Sequence, residues 1–479
     1  YFSLFLSIFT NFTKPYSLLN IKNFSGIESV MLAYQNNDFA QITAADIIFG
    51  SKSAKGKLPV SINDDFEVND GIETQNLNRL AFGVPENVGM NSKILSKIDA
   101  IVNSAITEKM TPGAQIIVAR KGVVVYQKSF GYMTYENKDK VENTNLYDVA
   151  SLTKILSTLP NLMIQYEKGK IKLDTKLSSM LPMFKKSNKA NITFLDILTH
   201  QARLQPWEPF YKATLNSAGF PAELYYRKTY TEEFPIQVSE NLFLRKDYND
   251  TIMKVIADSD LLPKKEYKYS DFSFIVMKEY LERITSKKLD VLAEDNFYSF
   301  LGANSMTYNP LRKFDMRYIA PTEIDNYYRY TTIQGYVHDM GAAMQGGVSG
   351  HAGLFSNALD VAKMMQMYLQ KGSYGGHQFF TEETLNTFNK CYFCKEGNRR
   401  GLGFDKPQLG EAGPTCGCVS LTSFGHTGFT GTIAWADPEK EIVYIFLSNR
   451  TYPEAKTNNL SRNNIREKIQ EVIYEAITE

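Results

Sequence analysis

The sequence predicts an α/β (α+β) fold: an antiparallel sheet flanked by terminal helices, a mostly helical subdomain inserted midway, and a small truncated α/β segment at the N-terminus. Three observations predict it. Residues 114–119 and 123–127 are strand-like runs joined by a turn at Lys121-Gly122, which reads as an antiparallel hairpin. Residues 432–436 and 442–447 form a second pair, joined by Asp437-Pro438-Glu439-Lys440, whose residue types favour a turn. An amphipathic helix accompanies each pair. Ile94, Ile98, Ile101 and Ala105 share one face before the first hairpin, and Ile465, Ile469, Val472 and Ala476 do so after the second. The sheet is therefore expected to be completed by segments far apart in the chain.

At 479 residues the chain is long for one domain and predicts two or three. Its 43% hydrophobic and 22% charged residues are those of an ordinary globular protein. A formal net charge of +1 gives no electrostatic case for a nucleic-acid partner or an anionic membrane. No apolar run is long enough to be a transmembrane segment. The four cysteines lie in one region, as Cys391-x-x-Cys394 and Cys416-x-Cys418. Zinc and two loop-clasping disulfides are both open to them, the second implying an oxidising compartment.

Residues 1–12 are apolar and aromatic and read as a buried strand, with a leftover signal-peptide core as the alternative. The chain is expected to start inside a longer protein. Residues 29–33 read as a second buried strand, followed by a polar turn and a helix through Ala44, Ala45, Ile47 and Ile48 that ends at Gly50. Ala33-Tyr34-Gln35-Asn36, Ala44-Ala45-Asp46-Ile47-Ile48-Phe49-Gly50 and Gly56-Lys57-Leu58-Pro59-Val60 resemble the end of the C-terminal α/β domain of family 3 glycoside hydrolases, of β-N-acetylglucosaminidase type. The resemblance implies that residues 1–65 are a remnant of that domain. In the parent protein an N-terminal glycosidase barrel domain would precede it and carry the nucleophilic Asp, so the remnant has no glycosidase chemistry of its own. Residues 66–90 are acidic and polar, with Gly71, Gly83, Pro85 and Gly89, and read as a linker.

The chemistry centres on Ser151. It is the only serine with a lysine three residues later, Lys154. In a helix starting near Ser151 the two side chains share a face, so the amine can reach the hydroxyl. A serine hydroxyl needs a neighbouring base at neutral pH, and a lysine whose pKa is lowered by burial or another cation can be one. The helix start also offers backbone N–H groups to a developing oxyanion. Pro160 is expected to kink or restart this helix.

Asp148-Val149-Ala150-Ser151-Leu152-Thr153-Lys154, followed by Glu167-Lys168-Gly169-Lys170-Ile171-Lys172-Leu173-Asp174, resembles the serine β-lactamase and penicillin-binding-protein superfamily. Within it, the class C and D-alanyl-D-alanine carboxypeptidase branch is the nearest in pattern. Two further elements of that family appear in order. Tyr269-Ser270-Asp271 resembles its Tyr-x-Asn motif, with Asp271 in place of Asn, and Phe424-Gly425-His426-Thr427-Gly428 resembles its His-Thr-Gly variant. The resemblance implies a β-lactamase-like domain over residues 91–479, with the helical insertion at about 175–335. It implies Ser151, Lys154 and Tyr269 as catalytic residues, and the N–H groups of Ser151 and Phe429 as the oxyanion hole. Asp271, His426, Thr427 and Gly428 would bind substrate, and no metal or other cofactor is required.

Asp271 departs from the pattern in a way that matters. A carboxylate cannot donate an amide proton to a substrate carbonyl, and it can instead pair with Lys154 and favour its charged form. His426 puts a titratable group where a substrate carboxylate would be read. This predicts binding that weakens as pH rises through the neutral range. His200 is expected to be structural, and Trp207, Phe210, Tyr211, Tyr225 and Tyr226 to pack or to line a substrate rim. Ser349 lacks a full Gly-x-Ser-x-Gly pattern and is not read as a nucleophile.

The function expected is a serine hydrolase working through an acyl-enzyme on a small-molecule or peptide substrate. A D-alanyl peptide or ester of peptidoglycan metabolism is implied by the resemblance, as is a periplasmic or exported location. A promiscuous carboxylesterase and a non-catalytic muropeptide-binding module of a larger β-N-acetylglucosaminidase are the competing readings.

Overall fold

A computed structural model describes residues 7–408 and 413–478. Its central sheet has six strands, in the order Phe424–Thr427, Ile433–Asp437, Ile442–Ser448, Gly113–Arg120, Val123–Gly131 and Ala81–Phe82. All neighbours are antiparallel except the last pair. Both expected hairpins form. The first turns on Lys121 and Gly122 at φ +51° and +75°, the paired left-handed conformations that match the twist of the flanking strands. In the second, the Asp437 carboxylate accepts the backbone N–H groups of Glu439 and Lys440 at 3.0 and 3.3 Å.

Alternation along the strands divides the core in two. Ile116, Val118, Ile433, Trp435, Ile442, Tyr444 and Phe446 face one side, against Ile98, Val102, Ile469 and Ile473 of the helices Lys97–Thr107 and Ile465–Glu475. Ile117, Ala119, Ala434, Ala436, Val443, Ile445 and Leu447 face the other. There they meet the larger cluster that holds Leu156, Leu159, Val361 and Met365. Burying each such aliphatic side chain contributes about 1.5–3 kcal/mol, so both layers anchor the sheet. The join of the two hairpins is Gly113–Arg120 against Ile442–Ser448, seven residue pairs long, which seats the early and late chain side by side.

Three regions differ from expectation. The stretch 66–90, read as a linker, supplies the edge strand Ala81–Phe82, whose two residues are too few to produce a periodic signal. Residues 1–6 lie outside the described residues. The strands Ile8–Asn11 and Ser29–Leu32 pair in parallel, but only Asn11 is buried in either, where buried strands were expected. The inserted region does contain the helices Tyr248–Asp258 and Phe272–Thr285. It also holds a three-stranded sheet of Tyr226–Arg227, Leu242–Leu244 and Ile236–Ser239, and a hairpin of Glu323–Asp325 with Thr331–Ile333. Those strands are two to four residues long and their alternation is lost among aromatic residues. The N-terminal helix Asp38–Ile48 forms as read, capped by the Asn37 side chain and followed by Gly50 at φ +79°.

The cysteines are joined as Cys391–Cys394 and Cys416–Cys418, which engages all four sulfurs and leaves none for zinc. Among the described residues no helix is long and apolar enough to cross a membrane.

Candidate active site

Ser151 sits where a short strand turns into a helix. Tyr147–Asp148 pairs with Leu354–Ser356, and the chain then turns through Ala150 at φ +48°, a left-handed conformation that costs a residue with a Cβ about 1–3 kcal/mol. The buried Asp148 carboxylate holds this turn. It accepts the Ala150 N–H at 2.8 Å and the His338 N–H at 2.7 Å. Ser151 thus lies within a single 3₁₀ turn, Ala150–Leu152, rather than at the start of a regular α-helix. A wide π turn, Lys154–Thr158, follows, and the α-helix proper is Leu159–Glu167 with Pro160 in its first turn. Proline cannot donate to the carbonyl four residues back. That carbonyl, on Leu156, instead accepts the Tyr298 hydroxyl at 3.2 Å, and the Ile155 carbonyl accepts Tyr368 at 2.6 Å.

Lys154 is fully buried and its ammonium has three acceptors. It donates to Ser151 Oγ at 2.9 Å, to Asp271 Oδ1 at 2.8 Å and to the His351 carbonyl at 3.1 Å. Tyr269 donates from its hydroxyl to Ser151 Oγ at 3.0 Å. Residues 117 and 118 positions apart, Lys154 with Asp271 and Ser151 with Tyr269, are so brought into one site. Burial alone would lower the Lys154 pKa, but the Asp271 carboxylate and Tyr269 outweigh it and hold the amine above its ordinary value. Burial raises the Tyr269 hydroxyl; Lys154 opposes this and Asp271 adds to it. The resting site is therefore an ammonium–carboxylate pair beside two neutral hydroxyls. This corrects the expectation of a lysine with a lowered pKa, and it agrees with the pairing expected of Asp271.

The strand Phe424–Thr427 approaches Ser151 from the other side. Thr430 Oγ1 donates to the Asp148 carbonyl at 2.8 Å and Thr432 Oγ1 to that of Val149 at 3.2 Å, pinning the turn after the strand to the Ser151 turn. Gly428 is required at this contact. A Cβ there would lie 2.1 Å from Thr432 Oγ1 and 2.7 Å from the Val149 carbonyl oxygen. A cleft of about 700 Å³ results, lined by Ser151, Tyr269, Asp271, His426, Thr427, Gly428 and Phe429. All the site residues expected from the sequence border it except Lys154, which lies beneath Ser151. A larger cavity, about 860 Å³, lies in residues 18–74, away from this cluster.

Residues 98–466 match the family described as Beta-lactamase. The chain belongs to that family. It is a serine hydrolase of the family, and its fold is that of the family's solved members. It is 29% identical over 395 residues to a protein of Escherichia coli (strain K12) named "Putative D-alanyl-D-alanine carboxypeptidase", covering 77% of this chain and 85% of that one. A protein of the same name from Salmonella agona (strain SL483) is 30% identical over 407 residues, covering 79% of this chain and 88% of that one. Among solved structures, a penicillin-binding protein homologue from Caulobacter crescentus aligns with a TM-score of 0.57 at 14% identity, over 81% of this chain and 99% of that one. EstCE1, described as a hydrolase with promiscuous acyltransferase activity, aligns with a TM-score of 0.57 at 18% identity, over 80% and 99%.

Within this family site, His426 does not take the role expected of it. It is buried, and its Nδ1 is 2.7 Å from its neighbour's carbonyl, Thr427 O, to which it donates. Burial, then the charges of Arg400 and Lys154, hold its pKa well below 6.5. His426 is neutral through the physiological range, so no carboxylate-reading limb near neutrality comes from it. His200 is structural, as expected. Its Nδ1 accepts the Ser270 N–H at 3.2 Å and its ring lies 4.7 Å from that of Tyr269, so it fixes the Tyr269 segment. Of the rim aromatics, Trp207 lines the cleft half-exposed, whereas Phe210, Tyr211 and Tyr226 are buried packing residues.

Sequence reasoning missed two features. Asp339, His351 and Ser349 form a chain, with His351 Nε2 2.9 Å from Asp339 Oδ1 and Nδ1 2.9 Å from Ser349 Oγ. Ser349 is fully buried, so the chain fixes the loop whose His351 carbonyl holds Lys154. A Ser-x-His in a glycine-dense loop was the only signal. Arg399 and Arg400 also border the cleft, and nothing in their local sequence marks them.

Proposed function

We propose that this hydrolase forms an acyl-enzyme at Ser151 and releases a D-alanyl leaving group from a peptidoglycan-derived peptide. The observation that carries the reading is the convergence of Lys154 Nζ and Tyr269 OH on Ser151 Oγ, at 2.9 and 3.0 Å. Attack on the scissile carbonyl requires the serine proton to leave; once the Lys154–Tyr269 pair has released one proton to solvent, Tyr269 is the acceptor, its ionised form stabilised by the Lys154 ammonium. Tyr269 then returns that proton to the leaving amine. The N–H groups of Ser151 and Phe429 hold the oxyanion, supported by the pinning of the 428–432 turn onto residues 148–149. The relatives' names support the D-alanyl substrate. Asp271 favours a second reading, hydrolysis of simple esters, because a carboxylate cannot donate to the side-chain amide of a peptide substrate.

An exported or periplasmic location is part of the proposal, supported by the two disulfides, which suit an oxidising compartment. So is descent of residues 1–65 from a family 3 glycoside hydrolase domain whose barrel preceded them in the parent protein. Its support is the quoted motifs and the exposure of Leu19, Phe39 and Phe49 there, apolar surface that a larger domain would cover.

A fluorophosphonate tests the acyl-enzyme. It is expected to add one covalent mass, located at Ser151 by peptide mapping, and Ser151→Ala should abolish the addition. Labelling at the buried Ser349 or Ser423 would overturn the assignment. A panel of D-alanyl peptides and nitrophenyl esters then decides between the two substrate classes.

A further inference from the structure

On the acyl-enzyme reading the Phe429 N–H is one half of the oxyanion hole, yet little in its own backbone fixes where it points. The residue before it is Gly428, which has no side chain to restrain the peptide between them. That peptide is held at its carbonyl end, where Gly428 O accepts the Gly431 N–H at 3.0 Å. The Phe429 N–H donates to none of the described residues. It has to stay free for the oxyanion, so the side chain is left to hold this end. Phe429 is 56% exposed, and so loosely packed a ring is not ordered by the core.

Two neighbours order it instead. The Arg450 guanidinium carbon lies 4.5 Å from the centre of the Phe429 ring, and the His338 ring stacks with it, centres 5.5 Å apart and planes at 30°. Both neighbours are buried. Burial and the charge of Arg466 lower the Arg450 pKa to about 10, so it is a cation at neutral pH. A desolvated cation attracts an aromatic face more strongly than an exposed one. Each neighbour is mounted on one half of the hole. The Arg450 N–H donates to the Thr430 carbonyl at 3.1 Å, and a Cβ on Gly431 would lie only 2.7 Å from Arg450 Cγ. Its Nη1 is fixed by the carbonyls of Ala455 and Thr457 at 3.3 and 3.1 Å. The His338 N–H donates to Asp148 Oδ2, the carboxylate whose other oxygen accepts the Ala150 N–H beside Ser151. The His338 Nε2 lies 3.0 Å from Glu323 Oε2, which limits rotation of the ring. The Phe429 ring thus ties the Ser151 turn to the 428–432 turn.

We propose that Arg450 and His338 are positioning residues for the oxyanion hole: they clamp the Phe429 ring, and the clamped ring braces the two N–H donors against each other. This rests on the acyl-enzyme reading and extends it from the backbone donors to the side chains that aim them. Outright loss of one such donor costs about 10²–10³-fold in kcat. A donor still present but loosely aimed costs less, and the loss falls on the chemical step rather than on binding.

Phosphonylation by a fluorophosphonate is the reaction that tests it. Ser151 Oγ displaces fluoride from phosphorus while negative charge builds on the phosphonyl oxygen, which needs the same two donors. The limiting rate constant and the half-saturating concentration are measured for the wild type, Arg450→Met, Phe429→Leu and the double variant. Each single substitution is expected to lower the limiting rate by about tenfold or more and to leave half-saturation within about threefold. The double variant should fall no further than the slower single, because Arg450 acts through the ring. Arg450→Lys, which keeps a cation, should recover part of the rate, and His338→Phe should keep the rate that His338→Ala loses. Additive losses in the double variant would mean that the Arg450 charge acts on the hole without the ring, and overturn the proposal. So would a lowered melting temperature with the limiting rate unchanged. Phe429 is exposed, so Phe429→Leu folds whatever Arg450→Met does, and an unchanged rate in that variant is enough to overturn the clamp. Labelling at Ser151 with unchanged rates in the variants removes the clamp alone and leaves the acyl-enzyme standing. Failure to label Ser151 in the wild type removes both.

Discussion

Lys154→Ala is expected to lower kcat/KM by about 10²–10⁴-fold, the range found when a positioned proton-transfer group is lost. It should also destabilise the protein. The substitution strands Asp271, whose side chain is 19% exposed, without the ammonium 2.8 Å away. Removing one partner of a buried pair costs about 3–5 kcal/mol, largely because the other charge is left uncompensated. A double substitution separates the two effects. Lys154→Ala with Asp271→Asn removes the stranded charge, so the urea midpoint should recover most of its loss while kcat/KM stays low. Recovery of activity together with stability would mean that Lys154 serves folding alone.

Asp271→Asn by itself is expected to move the acidic limb of the pH–kcat/KM profile to lower pH. Turnover requires the Ser151 proton to be accepted, so the rate rises with pH as the Lys154–Tyr269 pair loses its proton. The two titrate together and the limb belongs to the pair. Asp271 favours the protonated form of both members, and its removal lowers both. The other charged and titratable groups facing Tyr269, namely Arg400, His200 and His426, are unchanged by the substitution. Each unit of displacement corresponds to roughly a tenfold gain at a pH below the limb. Profiles for one neutral ester on both proteins provide the measurement. A limb that moves upward, or does not move, would show that Asp271 is not the residue that holds the proton on this pair.

What the sequence revealed of this site was its local part. Ser151 and Lys154 are three residues apart, so their contact follows from any helical turn, whether 3₁₀, π or α. Tyr269 and the His426-Thr427-Gly428 strand were legible only through a family pattern, since no local signal links them to Ser151. The pairing of Asp271 with Lys154 followed from charge alone once the two were placed in one site. Protonation was the part least legible. A histidine written in a sequence carries its reference pKa, and only the structure shows that His426 is buried beside Arg400. Arg400 itself reaches the cleft from a loop whose side chains match no periodicity. The hairpins were clear because strands of five to nine residues alternate visibly, and the two-residue strand Ala81–Phe82 was not, because a pair of residues has no period.

That short strand also fixes where the upstream chain is tethered. The Ala81 N–H donates to the Gly122 carbonyl at 2.9 Å and the Gly83 N–H to that of Val124 at 3.1 Å, at one margin of the sheet. The strand carrying His426 and Thr427 forms the opposite margin. With strands spaced about 4.8 Å apart, five intervals separate the margins by roughly 24 Å. A polypeptide attached upstream is thus moored on the far side of the sheet from the cleft mouth. The approach of a substrate to Ser151 is left clear of that mooring.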